Sequence, residues 1–166
     1  MATRKSKRSA SRGGKVKKQA TRKKAKAAGA KRQKRRDPQT LRLRAIMPGF
    51  TVNDLVRSLA FYTDVLGFIV SERWTGADGA PTGAMLKAGV CELGLSQDDW
   101  AKGKGRVKGV GVRIWTQTVQ DIDALGRRIK AAGRKLTEEP HDQPWGGRAL
   151  SLDDPDGYHL TVFRPA

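Results

Sequence analysis

One order of elements is written twice in this chain, and that repetition limits what it can fold into more than any other feature. Ile46, Pro48, Phe50 and Val52 alternate with Met47, Gly49 and Thr51, which predicts a strand. Asn53 is placed to cap a helix, with Asp54 in its first turn and Leu55, Leu59, Tyr62 and Leu66 as its apolar stripe. Gly67 ends that helix, and strand-like runs follow at 68–74, 83–87 and 90–96. After residues 97–108, read as a flap or a linker, the order restarts. A strand at 110–118 precedes a helix at 121–132, striped by Ile122, Leu125, Ile129 and Ala132 and capped by Gly133. Strands at about 135–138, 149–152 and 158–163 complete it. A constant offset of 67 aligns Asp54 with Asp121, Leu55 with Ile122, Leu93 with Leu160 and Leu95 with Val162. The expected fold class is α+β, built from two βαβββ units at residues 41–97 and 107–166.

The last two strands are joined by Asp154-Pro155-Asp156-Gly157, in which proline presets φ and glycine supplies a positive one. Side chains alternate along a strand. Leu160 and Val162 therefore share one face of the last strand, and His159, Thr161 and Phe163 the other.

Charge divides the chain differently. Residues 1–36 hold 17 of the 34 Lys and Arg and no Asp or Glu, leaving 17 basic against 16 acidic groups in the other 130 residues. Residues 1–36 thus carry +17 of the formal charge of +18, in a basic tail and linker at 1–40 ahead of a nearly neutral domain at 41–166. That tail has no aromatic residue and should be disordered, since it cannot bury enough apolar surface to offset its ordering entropy. Lys17, Lys18, Arg22, Lys23, Lys24, Arg32, Lys34, Arg35 and Arg36 could hold nucleic acid or another polyanion through phosphate contacts without reading sequence. A solubilising tail with no partner is the alternative. The single cysteine, Cys91, excludes an internal disulfide and is expected as a small core residue of a reducing compartment. No apolar run reaches the ~18 residues of a membrane span, and no signal peptide is expected. The expected address is the cytoplasm, with the nucleoid as the tail's alternative.

Further features carry a resemblance. They are the phrase Val52-Asn53-Asp54-Leu55-Val56-Arg57-Ser58-Leu59-Ala60-Phe61-Tyr62 with Leu66-Gly67-Phe68, the segment Pro144-Trp145-Gly146-Gly147-Arg148, and the Asp154–Gly157 turn. With the doubled βαβββ order, residues 41–165 resemble the vicinal oxygen chelate superfamily of glyoxalases, bleomycin-resistance proteins and extradiol dioxygenases. The resemblance implies curved mixed sheets around a cavity, often built across a homodimer. It also implies metal ligands about seven residues before the helix-starting Asp and about four after the Gly of the turn. Those positions, with their repeat equivalents, are Met47, Ile114, Thr161 and Gly94, and none is a usual ligand for a divalent transition metal. No metal and no cofactor are therefore expected.

The candidate ligand-binding residues are Met47, Glu92, Ile114, Trp115, Trp145, His159 and Thr161. Glu92 and His159 are equivalent by the offset and should line the same face, as a hydrogen-bond clamp or as solvated edge residues. Trp115 and Trp145 suit a planar ligand with a polar edge, or core or interface packing. Ile114 and Trp115 cannot both face inward on a regular strand, and both are named because the register is open. His141 is expected in an exposed loop. No phosphate-binding loop, nucleophile elbow or Cys/His pair has catalytic spacing, so no catalytic residue is assigned. The reading favours a binder of a small organic molecule over an enzyme. A metal-dependent glyoxalase-like lyase or dioxygenase is one rival, and a nucleic-acid-associated protein acting through its tail is the other.

Overall fold

The structure is a computed structural model that describes residue 41 and residues 43–166, and the basic-tail expectations lie outside it. Leu43–Ala166 form one compact unit. In it β1 (Gly49–Val52), α1 (Leu55–Ala60), β2 (Ile69–Thr75), β3 (Pro81–Ala88) and β4 (Cys91–Gln97) are followed by β5 (Arg113–Gln117), α2 (Ile122–Ala131), β6 (Glu138–Asp142), β7 (Arg148–Asp153) and β8 (His159–Arg164). Two four-stranded mixed sheets result, ordered β1-β4-β3-β2 and β5-β8-β7-β6. In each, the first strand of a repeat runs parallel to the last and the remaining neighbours are antiparallel. The α+β class and the doubled βαβββ order are as the sequence predicts.

Local corrections have physical causes. The first strand starts at Gly49, not Ile46, which is exposed. Asp54 rather than Asn53 caps α1, its carboxylate accepting the Arg57 N–H at 3.0 Å. A π-helical turn, Phe61–Val65, extends α1, and the Leu66 N–H reaches back five residues to the Phe61 carbonyl at 3.3 Å. The extra residue rotates the buried face. Leu55, Ser58, Phe61, Tyr62 and Val65 go inside, while Leu59 and Leu66 are only partly covered. The strand expected at 135–138 lies at Glu138–Asp142, so His141 is in a strand and not a loop, though exposed as expected. Cys91 begins β4 and is exposed, not a core residue.

The two repeats share one core. Phe50, Leu86 and Leu95 from the first join Ile122, Ile129, Leu150 and Leu152 from the second in a single buried cluster. The Asp154–Gly157 turn joins them through polar groups. Asp154, 6% exposed, accepts the Tyr62 hydroxyl at 3.1 Å across the repeats and the N–H groups of Asp156 and Tyr158 at 2.8 and 2.9 Å. Asp156 accepts the Asn53 N–H at 3.1 Å and the Ser58 hydroxyl at 3.3 Å. Tyr158 donates to the Thr51 carbonyl at 3.0 Å and stacks on Phe50, with centroids 3.9 Å apart.

The connection between the repeats is organised rather than loose. Buried Asp98 pairs with buried Lys108, accepts from Arg106 at 2.8 Å and takes the Trp100 N–H at 2.9 Å. The hydrogen bonds from Lys108 and Arg106 hold the Asp98 carboxyl well below the usual carboxylate range. Gly109 then lies with its backbone against that of Gly157, an approach no side chain at Gly109 would allow.

Replacing Asp154 tests this seam. Asp154→Ala strands three donors and should lower unfolding free energy by about 2–5 kcal/mol in a denaturant titration. Burial also raises the Asp154 carboxyl above its ordinary value. The stability tied to this proton is complete below the unfolded carboxylate pKa of about 3.9 and falls as pH rises through the folded value. The deficit of Asp154→Asn against wild type should therefore be larger near pH 4 than at pH 7.

Candidate functional site

The sheet of the second repeat covers the core with Leu150, Leu152 and Leu160, and its other face carries the candidate site. The β5–β8 pairing fixes which residues share that face, because Cα partners in adjacent strands point the same way. Arg113 is opposite His159, Trp115 opposite Thr161, and Gln117 opposite Phe163. The β7–β8 pairing adds Asp153, Ser151 and Ala149 to the same three rows.

The middle row is polar and closed. Ser151 donates to a Glu138 carboxylate oxygen at 2.8 Å, and its Oγ is 2.9 Å from that of Thr161. A serine hydroxyl has one proton, and Glu138 holds it, so Thr161 is the donor in the second bond. Thr161 and Ser151 are 4% and 0% exposed. The Thr161 hydroxyl therefore keeps only acceptor capacity for anything placed against it.

Beside this ladder are three aromatic rings in mutual edge contact. Trp115 lies 6.1 Å from both Trp145 and Phe163, and Trp145 lies 5.5 Å from Phe163, all between ring centroids. Trp115 and Trp145 remain 53% and 55% exposed, a large apolar surface left in water. Trp145 sits in the β6–β7 connection, where Gly146 and Gly147 adopt positive φ, the Gln143 N–H donates to the Gly147 carbonyl and the Gln143 carbonyl accepts the Gly146 N–H, both at 2.9 Å. Arg148 anchors the base of that connection with two 2.7 Å bonds to Asp123 of α2 and one of 2.9 Å to Asp142. Arg148 in turn holds the Asp123 carboxyl below its ordinary value. At the near end His159 Nδ1 is 2.7 Å from an Asp153 oxygen. A carboxylate only accepts, so Nδ1 carries the proton and Nε2 is the free edge.

Three expected positions change. Gly49 pairs with Gly94, whereas Trp115 pairs with Thr161, so the first strands are related by 66 positions while the helix caps Asp54 and Asp121 keep 67. One added residue between β5 and α2 shifts the register. Ile114 consequently packs against the core, and Trp115 takes the outward place. Met47 precedes β1 and is 54% exposed rather than being part of the first strand. Glu92 lies half-buried in β4 opposite Lys87, in the other sheet from His159, whose partner is Asp153 instead. Gly94 faces the Gly49 backbone and the Met85 side chain. Sequence reasoning missed Ser151, Glu138 and Asp153. Only Phe163 was visible, as the residue two beyond Thr161.

Among the described residues no group of three or more His, Cys, Asp and Glu is gathered to hold a metal ion, and no helix is long and apolar enough to cross a membrane. Residues 42–162 match the model of the glyoxalase/bleomycin resistance protein/dioxygenase superfamily. The chain belongs to that superfamily. Similar members include the putative glyoxylase CFP32 of Mycobacterium bovis, 33% identical over 66% of this chain and 39% of its own. Lactoylglutathione lyase GLX1 of Arabidopsis thaliana is 28% identical over 69% of this chain and 42% of its own. The chain thus spans about two-fifths of the length of these curated relatives. Among solved structures, TnmS3, an antibiotic binding protein from Streptomyces sp. CB03234, superposes with a TM-score of 0.55 at 23% identity, over 72% of this chain and 93% of its own. That likeness concerns the fold.

The polar ladder gives a direct test. Ser151→Ala leaves the buried Thr161 donor unpaired and should cost about 1–3 kcal/mol of stability, more than Thr161→Val. Chemical denaturation of both variants and the double variant should show clear non-additivity, with the pair costing less than the two single changes together.

Proposed function

We propose that this superfamily member binds a small organic molecule on the outer face of the β5–β8–β7 sheet, without the family's metal and without a catalytic residue or cofactor. The observation that carries this reading is the half-exposed Trp115–Trp145–Phe163 cluster beside a self-satisfied polar row. Flat rings left in water offer stacking area to a planar ligand, worth about 0.5–1.5 kcal/mol per aromatic pair beyond burial. Trp115, Trp145, His159 and Thr161 are its contacts, with Thr161 as an acceptor. Met47, Glu92 and Ile114 have no part in it on this face.

The donor set speaks against the metal. At the four family positions, now in the observed register, are Gly94, Thr161 and the residues around Gly49 and Trp115. Glycine offers no ligand, indole donates only, and the Thr161 proton is held by Ser151. The names of the relatives favour the rival reading of a metal-dependent lyase. Metal analysis of the purified chain decides between them. Less than about 0.1 divalent ion per chain supports the binder, and a stoichiometric ion lost together with activity on chelation refutes it.

Binding itself is measured by thermal shift against small planar aromatic compounds, since a ligand of the native state raises Tm. Trp115→Ala and Trp145→Ala should each weaken binding at least about tenfold, a loss of roughly 1.4 kcal/mol. Hits whose affinity survives both changes would remove the face from consideration.

The chain is further read as a domain at 41–166 behind a tail at 1–40, cytoplasmic and forming a homodimer. The tail is read as a non-specific polyanion binder through its nine named basic residues. A salt-dependent shift of duplex DNA should vanish on deleting residues 1–36. Its survival would refute that role, because the remaining domain carries a net charge of only +1.

A further inference from the structure

From the arrangement of charge around the aromatic cluster, we infer that the ligand of this face is an anion: a planar aromatic body with a carboxylate or similar acidic group directed at Arg113. The inference rests on the reading of the face as a ligand site and adds the chemical class.

Arg113 begins β5, is exposed, and pairs with His159 across the strand. It is two residues from Trp115 on the same face, a step of roughly 6.6 Å along a strand. Among the described residues Arg113 makes no ion pair and no side-chain hydrogen bond. Arg148, the Cα partner of Arg164, lies on the opposite face and is bonded there to Asp123, Asp142 and the Pro140 carbonyl. Arg164, the next residue after Phe163, alternates to the opposite face.

The acids of the face are engaged as well. Asp153 accepts from His159 Nδ1, which leaves Nε2 as the free edge of the ring. With the proton on Nδ1, that edge is an acceptor and can take a donor group of a ligand. Glu138 accepts from Ser151 and belongs to β6, three strands from β5, so roughly 14 Å lies between their backbones. An amine seated on the Trp115 ring would share the face with the unpaired Arg113, while the carboxylates of Asp153 and Glu138 already accept hydrogen bonds. An acid on the same ring would meet the guanidinium, whose fork suits a carboxylate. The Thr161 acceptor adds a place for a donor group on the ring body, such as a hydroxyl.

The test is calorimetric titration of the full chain with three isosteric probes: 2-naphthoate, 2-naphthamide and 2-naphthylmethylammonium. Measurements at 0.3 M salt screen the basic tail, and the comparison of wild type with Arg113→Gln cancels what remains of it. Naphthoate should bind at least about tenfold more tightly than the ammonium probe, and Arg113→Gln should remove that preference while leaving the amide unchanged. Equal or tighter binding of the ammonium probe, or a preference indifferent to Arg113→Gln, overturns the anionic assignment and leaves the site reading standing. Failure of all three to bind, or binding unaltered by Trp115→Ala, overturns the site reading and the inference with it.

Discussion

Everything on this fold hangs from one buried carboxylate. Asp154 collects a tyrosine hydroxyl from the first repeat and two N–H groups of its own turn, and Asp156 beside it closes the entry to α1. Either repeat alone has a sheet whose apolar face needs cover, and the shared core supplies it. The turn fixes how the repeats meet, so β7 and β8 leave it with their polar and aromatic side chains turned away from the core. A carboxyl held out of water with three donors is destabilising unless all three are met. The seam is thereby selective: a shifted turn would lose every bond at once.

The two repeats have diverged on their outer faces while keeping their inner ones. Leu93 and Leu160, equivalent by the offset, are both buried, as the core requires. On the other face of the first sheet Gly49 and Gly94 carry no side chain, Met85 reaches over Gly94, and the Trp74 ring lies over Gly83. The corresponding row of the second sheet is Trp115, Thr161 and Ser151. One sheet has been cleared and the other furnished. The aromatic face, the hydroxyl ladder and the free arginine all belong to the second repeat, and that asymmetry is why the proposed ligand is assigned there.

Much of this was legible before any coordinates. The repeat, its helices and the closing turn follow from hydrophobic period and turn chemistry, which are local properties of the chain. The site was legible only where it depends on alternation along one strand, as for His159, Thr161 and Phe163. It failed where it depends on pairing between strands. Ser151 and Glu138 join Thr161 through a hairpin register no local pattern encodes, and a single inserted residue before α2 exchanged Ile114 for Trp115. The π-helical turn moved Phe61 inside for the same kind of reason, since one residue changes the face. Cys91 was misplaced because apolar neighbours in sequence do not say which end of a strand is covered.

The central claim is that Trp115 and Trp145 form the floor of an organic ligand site that owes nothing to a metal. The four indole N–H resonances, assigned through single Trp→Phe variants and followed by NMR in separate titrations with 2-naphthoate and with Zn²⁺, test it most directly. Naphthoate should move the Trp115 and Trp145 signals and leave Trp74 and Trp100 in place, and Zn²⁺ should move none. Movement of the Trp115 signal by stoichiometric Zn²⁺, or a naphthoate response confined to Trp74 and Trp100, would contradict it.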